Sequence, residues 1–106
     1  MKLYHATDRE NLESITEVGL FPGDGGTKVR DKTRDTIQGS GLIGVFGFTS
    51  LEEAINFAID NNYDGLIYEF DSSDYDTIDD PEYDDVAKFV ITSTPIAAKL
   101  IFEQWA

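Results

Sequence analysis

The stretch that decides the fold is "LYHATDRENLESITEVGL", Leu3–Leu20. The first residues are predicted to form a short strand in which successive side chains point to opposite sides. His5 lies close to the end of this strand. Thr7 lies three residues before Glu10, the spacing at which a hydroxyl and a carboxyl cap each other's backbone donors. We therefore expect a strand followed directly by a helix that begins at Asp8.

The expected helix has an apolar stripe and a clear stop. Leu12, Ile15 and Val18 recur at helical spacing and are predicted to face inward. Gly19 follows as a left-handed end of the helix. The polar stretch Thr27–Ser40 has no clear period and is predicted to be a loop.

A second strand and helix are predicted in the middle of the chain. Leu42–Ser50, "LIGVFGFTS", reads as a buried strand in which Gly47 permits a bulge or a close backbone approach. Ser50 and Glu53 form a second capping box at the start of the next helix. The inward face of that helix is expected to contain Leu51, Ala54, Ile55, Ala58 and Ile59.

Two further strands complete the expected fold. They are Gly65–Phe70 and Ala87–Thr92, and Pro95 marks a turn before the closing stretch "KLIFEQWA". With 106 residues the chain has room for one domain. The order of the elements predicts a single α+β domain, with two helices against a mainly antiparallel sheet.

Composition narrows the setting and the partners. The chain has a net charge of -13 and no cysteine, and nothing at its start resembles a signal peptide. No apolar run is long enough to span a membrane, so we expect a cytoplasmic protein that does not enter membranes. The negative charge makes direct binding to nucleic acid an unfavourable expectation.

The charges are segregated along the chain. Lys28–Arg34, "KVRDKTR", holds four of the eight basic residues, and Asp71–Asp85 is strongly acidic. Each is readily explained as a solvated loop. The acidic segment also suits a protein partner, because carboxylates at short spacing imitate nucleic-acid phosphates. It lacks the sixth-position glycine and closing glutamate of a calcium loop, so no metal site is predicted.

Four stretches in order resemble the ADP-ribosyltransferase superfamily, in its diphtheria-toxin-like and poly-ADP-ribose-polymerase-like His-Tyr-Glu branch. They are "LYHATDRENLESITEVGLFPG", "GVFGFTSLEEAINFA", "LIYEFD" and "KFVITSTPIAAKLI". The resemblance implies a small fold with a split antiparallel sheet. It also implies NAD as the bound substrate, in a cleft between two small sheets.

The resemblance assigns roles to named residues. His5 would hydrogen-bond a ribose hydroxyl of NAD, with Thr7 beside it in the same motif. Phe46 or Phe48 would supply the ring that stacks on nicotinamide, because Gly47 leaves the register open. A lone histidine near a strand end is otherwise more often a structural partner than a ligand.

Phosphate contacts would come from the basic stretch. Arg30 and Arg34 lie on a loop that in such folds can approach the cleft, and a guanidinium pair suits a pyrophosphate. The related RNA 2'-phosphotransferases rely on more basic residues than this stretch provides.

The third motif departs from the family pattern. The expected glutamate falls at Ala87 or Lys88, and the nearest carboxylates are Asp84 and Asp85. A carboxylate near the ribose favours the positive charge that develops when the glycosidic bond of NAD breaks. Asp85 is the candidate to replace the glutamate.

Two functions follow from these observations. The first is an NAD-binding protein that transfers ADP-ribose to a macromolecular target through His5 and Asp85. The second is a catalytically inactive acidic binding module or inhibitor, of the kind encoded by a phage or mobile element against host defence, which blocks a partner protein through Asp71–Asp85.

Overall fold

The computed structural model describes residues 1–22, 43–60, 65–79 and 86–103. Within these ranges the chain forms six strands and two α-helices. The strands are β1 (Lys2–Thr7), β2 (Gly44–Phe48), β3 (Leu66–Asp71), β4 (Asp76–Asp79), β5 (Ala87–Ile91) and β6 (Lys99–Glu103), and the helices are α1 (Leu12–Val18) and α2 (Leu51–Asp60).

The six strands form one sheet in the order β4-β5-β2-β1-β3-β6. Every pairing between neighbouring strands is antiparallel. The predicted α+β class, with a mainly antiparallel sheet and two helices, is confirmed for the described residues. The acidic segment was expected to be a loop, which is wrong for Asp76–Asp79, because Thr77 and Ile78 favour a strand and pair with β5.

Backbone pairing within the sheet is sparsest between β1 and β2. β1 pairs with β3 along its whole length, from Lys2 opposite Asp71 to Thr7 opposite Leu66. With β2 it pairs only where Tyr4 faces Phe48. We call this line the seam; it separates the β1 half-sheet (β1, β3, β6) from the β2 half-sheet (β2, β5, β4).

Each face of the sheet carries one hydrophobic cluster and one helix. The face covered by α1 is called the α1 face, and its buried residues are Leu3, Ile15, Leu20, Val45, Leu66, Tyr68, Phe70, Val90 and Ile96. The opposite, α2 face buries Ala6, Phe48, Ala54, Phe57, Ala58, Ile67 and Ala87. The two clusters follow the alternation of side chains along each strand.

Half of the predicted capping box, the part made by Ser50, forms at the start of α2. The backbone N–H of Glu53 donates to the Ser50 hydroxyl over 3.2 Å. The predicted inward face is partly wrong, because Ile59 is 52% exposed whereas Phe57 is buried. Phe57 turns inward since its ring packs on that of Phe48, with 5.1 Å between the centroids.

The first capping motif does not form. Arg9–Asn11 make a 3-10 turn without a side-chain cap, and the α-helix begins only after it. The Thr7 hydroxyl instead accepts a hydrogen bond from the Asn11 side chain, over 2.8 Å. The helix ends at Val18, which is exposed rather than inward. Gly19 ends the helix as predicted, but with φ +103° and ψ -174° it is in an extended conformation that favours glycine and not in the predicted left-handed one.

No helix in the described ranges has the length and apolar character needed to cross a membrane.

Candidate functional site

A pocket of about 200 Å³ opens on the α1 face at the end of β1. One wall comes from β1, a second from α1 and the turn before it, and a third from the chain that follows α1. Polar side chains surround an apolar floor. The lining residues are His5, Thr7, Asn11, Ser14, Ile15, Gly19, Leu20 and Phe21.

His5 joins the pocket to the seam. Its Nδ1 atom lies 2.8 Å from the carbonyl oxygen of Phe46 on β2. A carbonyl oxygen only accepts, so Nδ1 carries a hydrogen and donates it to Phe46. The bond spans the line where backbone pairing between β1 and β2 is sparse, and it fixes the orientation of the imidazole.

Thr7 and Asn11 form the polar end of the pocket. Asn11 Nδ2 donates to Thr7 Oγ1 over 2.8 Å, so the threonine hydroxyl keeps its own hydrogen for donation. Thr7 is buried, with 7% of its surface exposed. The pair thus presents a donor in the pocket that His5 also lines.

The wall after α1 is held by backbone bonds to the distant residue Ile96. The N–H of Leu20 donates to the Ile96 carbonyl over 2.8 Å, and the N–H of Ile96 donates back over 3.0 Å. A Cβ atom at Gly19 would lie 2.6 Å from the Ile96 oxygen, so only glycine fits this approach. Phe21 follows with 66% of its surface exposed, at the mouth of the pocket.

The two phenylalanines that the family resemblance singled out do not line this pocket. Phe48 is 3% exposed and lies in the cluster of the α2 face. Phe46, two residues earlier on the same strand, projects to the same side, and its ring meets Phe89 edge to face at 4.9 Å. His5 lies on the opposite face, so what it contacts is the Phe46 backbone rather than its ring.

The remaining predicted residues separate into two groups. Arg30, Arg34 and Asp85 lie outside the described residues. The positions at which the resemblance expects a glutamate are described: Ala87 is fully buried, and the Lys88 ammonium forms an ion pair with Asp79. No carboxylate therefore occupies either of those two positions.

Tyr68 lies directly opposite His5 in the register of β1 and β3. Its hydroxyl is buried and no described residue lies within hydrogen-bonding geometry of it. The nearest candidate is the Thr16 hydroxyl, which donates to the Leu12 carbonyl over 2.7 Å. Burial raises the pKa of Tyr68 above its ordinary value, the Thr16 hydroxyl partly offsets that rise, and the negative charge of Glu103 adds to it. This neutral hydroxyl lies next to the site without belonging to its lining.

Within the described ranges no group of three or more His, Asp or Glu side chains is placed to hold a metal ion.

Six lining residues were not predicted at the site: the floor and wall residues Ile15, Gly19 and Leu20, and also Asn11, Ser14 and Phe21. Asn11 lies four residues after Thr7, and Ser14 lies three residues after Asn11. This helical spacing, which places the side chains on one face, was the available signal. That signal was masked by the expectation of a regular helix from Asp8. Phe21 carried no signal of its own beyond its position after the helix stop.

No protein-family model, curated protein or solved structure matches this chain.

Proposed function

We propose that the chain binds NAD or a related nucleotide, with a ribose in the pocket beside His5. The observation that carries the proposal is the bond from His5 Nδ1 to the Phe46 carbonyl. It fixes the plane of the imidazole at the pocket, and in its neutral form this imidazole accepts a hydroxyl hydrogen at Nε2, which suits a sugar better than a phosphate. The Thr7 hydroxyl supplies a matching donor, and none of the described lining residues carries a fixed positive charge.

The seam supports a cleft of the kind the family resemblance implies. In that family NAD lies between two small sheets, and here a sheet paired at one position between β1 and β2 divides into two half-sheets. His5 stands at the division. The structural part of the proposal is therefore that the ligand lies along the seam, on the α1 face.

The size of the pocket limits which part of the nucleotide enters it. About 200 Å³ is less than the roughly 300–1,000 Å³ usual for a whole small-molecule ligand, so one ring fills it. The rest of the ligand extends outward. Phe21, exposed at the mouth, offers a face on which a base stacks. Arg30 and Arg34 remain the proposed contacts of the pyrophosphate.

Transfer of ADP-ribose to a macromolecular target needs a carboxylate near the ribose. Asp85 is our candidate for that role. Lys88, which stands where a glutamate is expected, carries the wrong charge and is paired with Asp79. This pair favours the second proposal, in which the fold is kept as a binding module without transferase activity.

Titration with NAD by calorimetry tests the binding. We expect heat at millimolar or lower NAD, and about tenfold weaker affinity for His5→Ala, the loss that one hydrogen bond of about 1.4 kcal/mol represents. Phe21→Ala should weaken binding too. Val18→Ala is the control, since Val18 is exposed on α1 and does not line the pocket.

An absence of heat at millimolar NAD, together with an unchanged melting temperature, contradicts the proposal. The tautomer gives an independent check, because nitrogen NMR of the imidazole should show a hydrogen on Nδ1. If NAD binds, nicotinamide release by the wild type and by Asp85→Asn then separates an enzyme from a binding module. If the wild type releases nicotinamide and Asp85→Asn does not, the protein is an enzyme in which Asp85 acts on NAD.

A further inference from the structure

The sheet ends in a strand that is open to added pairing. β4 is the outermost strand beside β5, and no described strand pairs with its other edge. All four of its residues are exposed. Such an edge presents a row of backbone donors and acceptors to any extended chain of suitable sequence.

The side chains of β4 favour a positively charged segment as the added strand. Asp76 and Asp79 begin and end the strand, and Ile78 between them has 37% of its surface exposed. The carboxylate of Asp79 forms an ion pair with Lys88. Asp76 lies opposite the apolar Ile91 in the pairing of β4 with β5. An approaching segment therefore meets an apolar side chain flanked by negative charges.

We propose that β4 binds an extended, basic peptide segment of a partner protein as a seventh strand. Charge complementarity with a chain of net charge -13 favours a basic partner. The same charges disfavour a second copy, because two β4 edges would place carboxylates side by side. This surface goes beyond nucleotide binding, since it lies at the end of the β2 half-sheet away from His5.

Register fixes the preferred sequence of the segment. An added antiparallel strand places one residue directly opposite each residue of β4. A lysine or arginine suits the positions opposite Asp79 and Asp76, and an apolar β-branched residue suits the position opposite Ile78. Read from its N-terminus, the segment is then basic, apolar, any residue, basic.

A labelled ten-residue peptide centred on Lys-Ile-Thr-Lys tests the proposal by fluorescence anisotropy at physiological ionic strength. We expect saturable binding that perturbs the amide NMR signals of β4 and slows their hydrogen exchange. A peptide in which proline replaces the central Ile and Thr keeps both charges but lacks the backbone donors, so it should bind at least tenfold more weakly.

A charge swap tests the register. Asp76→Lys should weaken binding of the peptide at least tenfold, and a peptide with Glu in place of the second Lys should restore it. Asp60→Lys makes the same change of charge on the exposed end of α2 and should change affinity less than twofold.

Several outcomes would overturn the proposal. They are equal binding of the proline peptide, equal weakening by Asp60→Lys, shifts confined to amides outside β4, or dimerisation of the protein through β4 in sedimentation. His5→Ala should leave peptide affinity unchanged, so this test and the NAD titration fail or succeed separately.

Discussion

The strand β1 pairs along its whole length with β3 but at one position with β2, and the candidate site lies on the sparsely paired side. Toward β3, six consecutive residues of β1 have partners, from Lys2 to Thr7. Toward β2, Tyr4 alone has a partner, and the His5 side chain adds a bond to the Phe46 carbonyl. A full ladder uses up its backbone groups, whereas a sparse one leaves groups for side chains and ligands. The strand β1 is therefore held by a full ladder on one side, and on the other side the candidate site lies beside a sparsely paired line.

The largest effect is expected inside the β2 half-sheet. In Gly44→Ala the new methyl group would overlap the Val90 carbonyl oxygen and press on the Phe89 ring. A paired strand cannot move aside, so we expect the free energy of unfolding to fall by about 3 kcal/mol, the upper range of overpacking. Urea denaturation measures this loss, and a change below about 1 kcal/mol would contradict the close packing of the ladder.

A smaller loss is expected at the seam. In Gly47→Ala the methyl group would lie 2.7 Å from Leu3 Cβ and 2.9 Å from the Phe70 ring, across the boundary between the half-sheets. Because the seam is sparsely paired it can open slightly, so we expect a cost of about 1–2 kcal/mol. Opening also displaces the Phe46 carbonyl from His5, and NAD affinity should fall with it. A cost equal to that of Gly44→Ala would show the seam to be as rigid as the ladders.

A gain is expected from the well-paired side. Tyr68→Phe removes a buried hydroxyl that has no partner among the described residues, and we expect about 1 kcal/mol of added stability in urea denaturation. The pKa of Tyr68 is raised in the folded protein, so above the ordinary value of 10.0 the unfolded chain loses this proton more readily than the folded protein does. The free energy of unfolding therefore falls as pH rises above 10.0. The variant should lose less stability under alkaline conditions. Tyr4→Phe, on the neighbouring strand, is the control and should show neither change.

The smallest effect is expected at the end of the β1–β3 ladder. The hydroxyl and backbone N–H of Ser73 donate to the carboxylate of Asp71, and they lower its pKa from 3.8 to about 2. A lowered pKa means that this stabilisation is present above 3.8 and is lost as pH falls toward 2. Asp71→Asn should therefore flatten the fall in melting temperature over that interval. Asp74→Asn should leave it steep, and carbon NMR of the Asp71 carboxyl gives the pKa directly.

The sequence predicted elements well where local chemistry decides them. Ser50 caps α2 because a hydroxyl three residues before an amide needs nothing from the rest of the chain. Thr7 fails to cap because Asn11 competes for its hydroxyl, an interaction that a spacing rule does not weigh. β4 was missed for a similar reason, since its acidic composition suggests a loop and only pairing with β5 makes it a strand.

The site could be predicted only in part. His5 and Thr7 line the pocket, and both were chosen from the motif that contains them. The sequence leaves the register around Gly47 open, so the ring of either Phe46 or Phe48 was expected at the ligand; in the structure both rings project from the α2 face. Phe21 reaches the pocket through a long-range backbone pair, which no local pattern encodes.

The pair of hydrogen bonds between Leu20 and Ile96 has a consequence for the order of events during synthesis. A ribosome delivers the N-terminal strand and helix first, yet the pocket wall is completed only after the chain has been translated past residue 96. If the proposed nucleotide binds there, it cannot guide the early steps of folding and would act on the finished molecule. Its effect should be to slow unfolding, with little change in the speed at which the newly made chain first becomes compact.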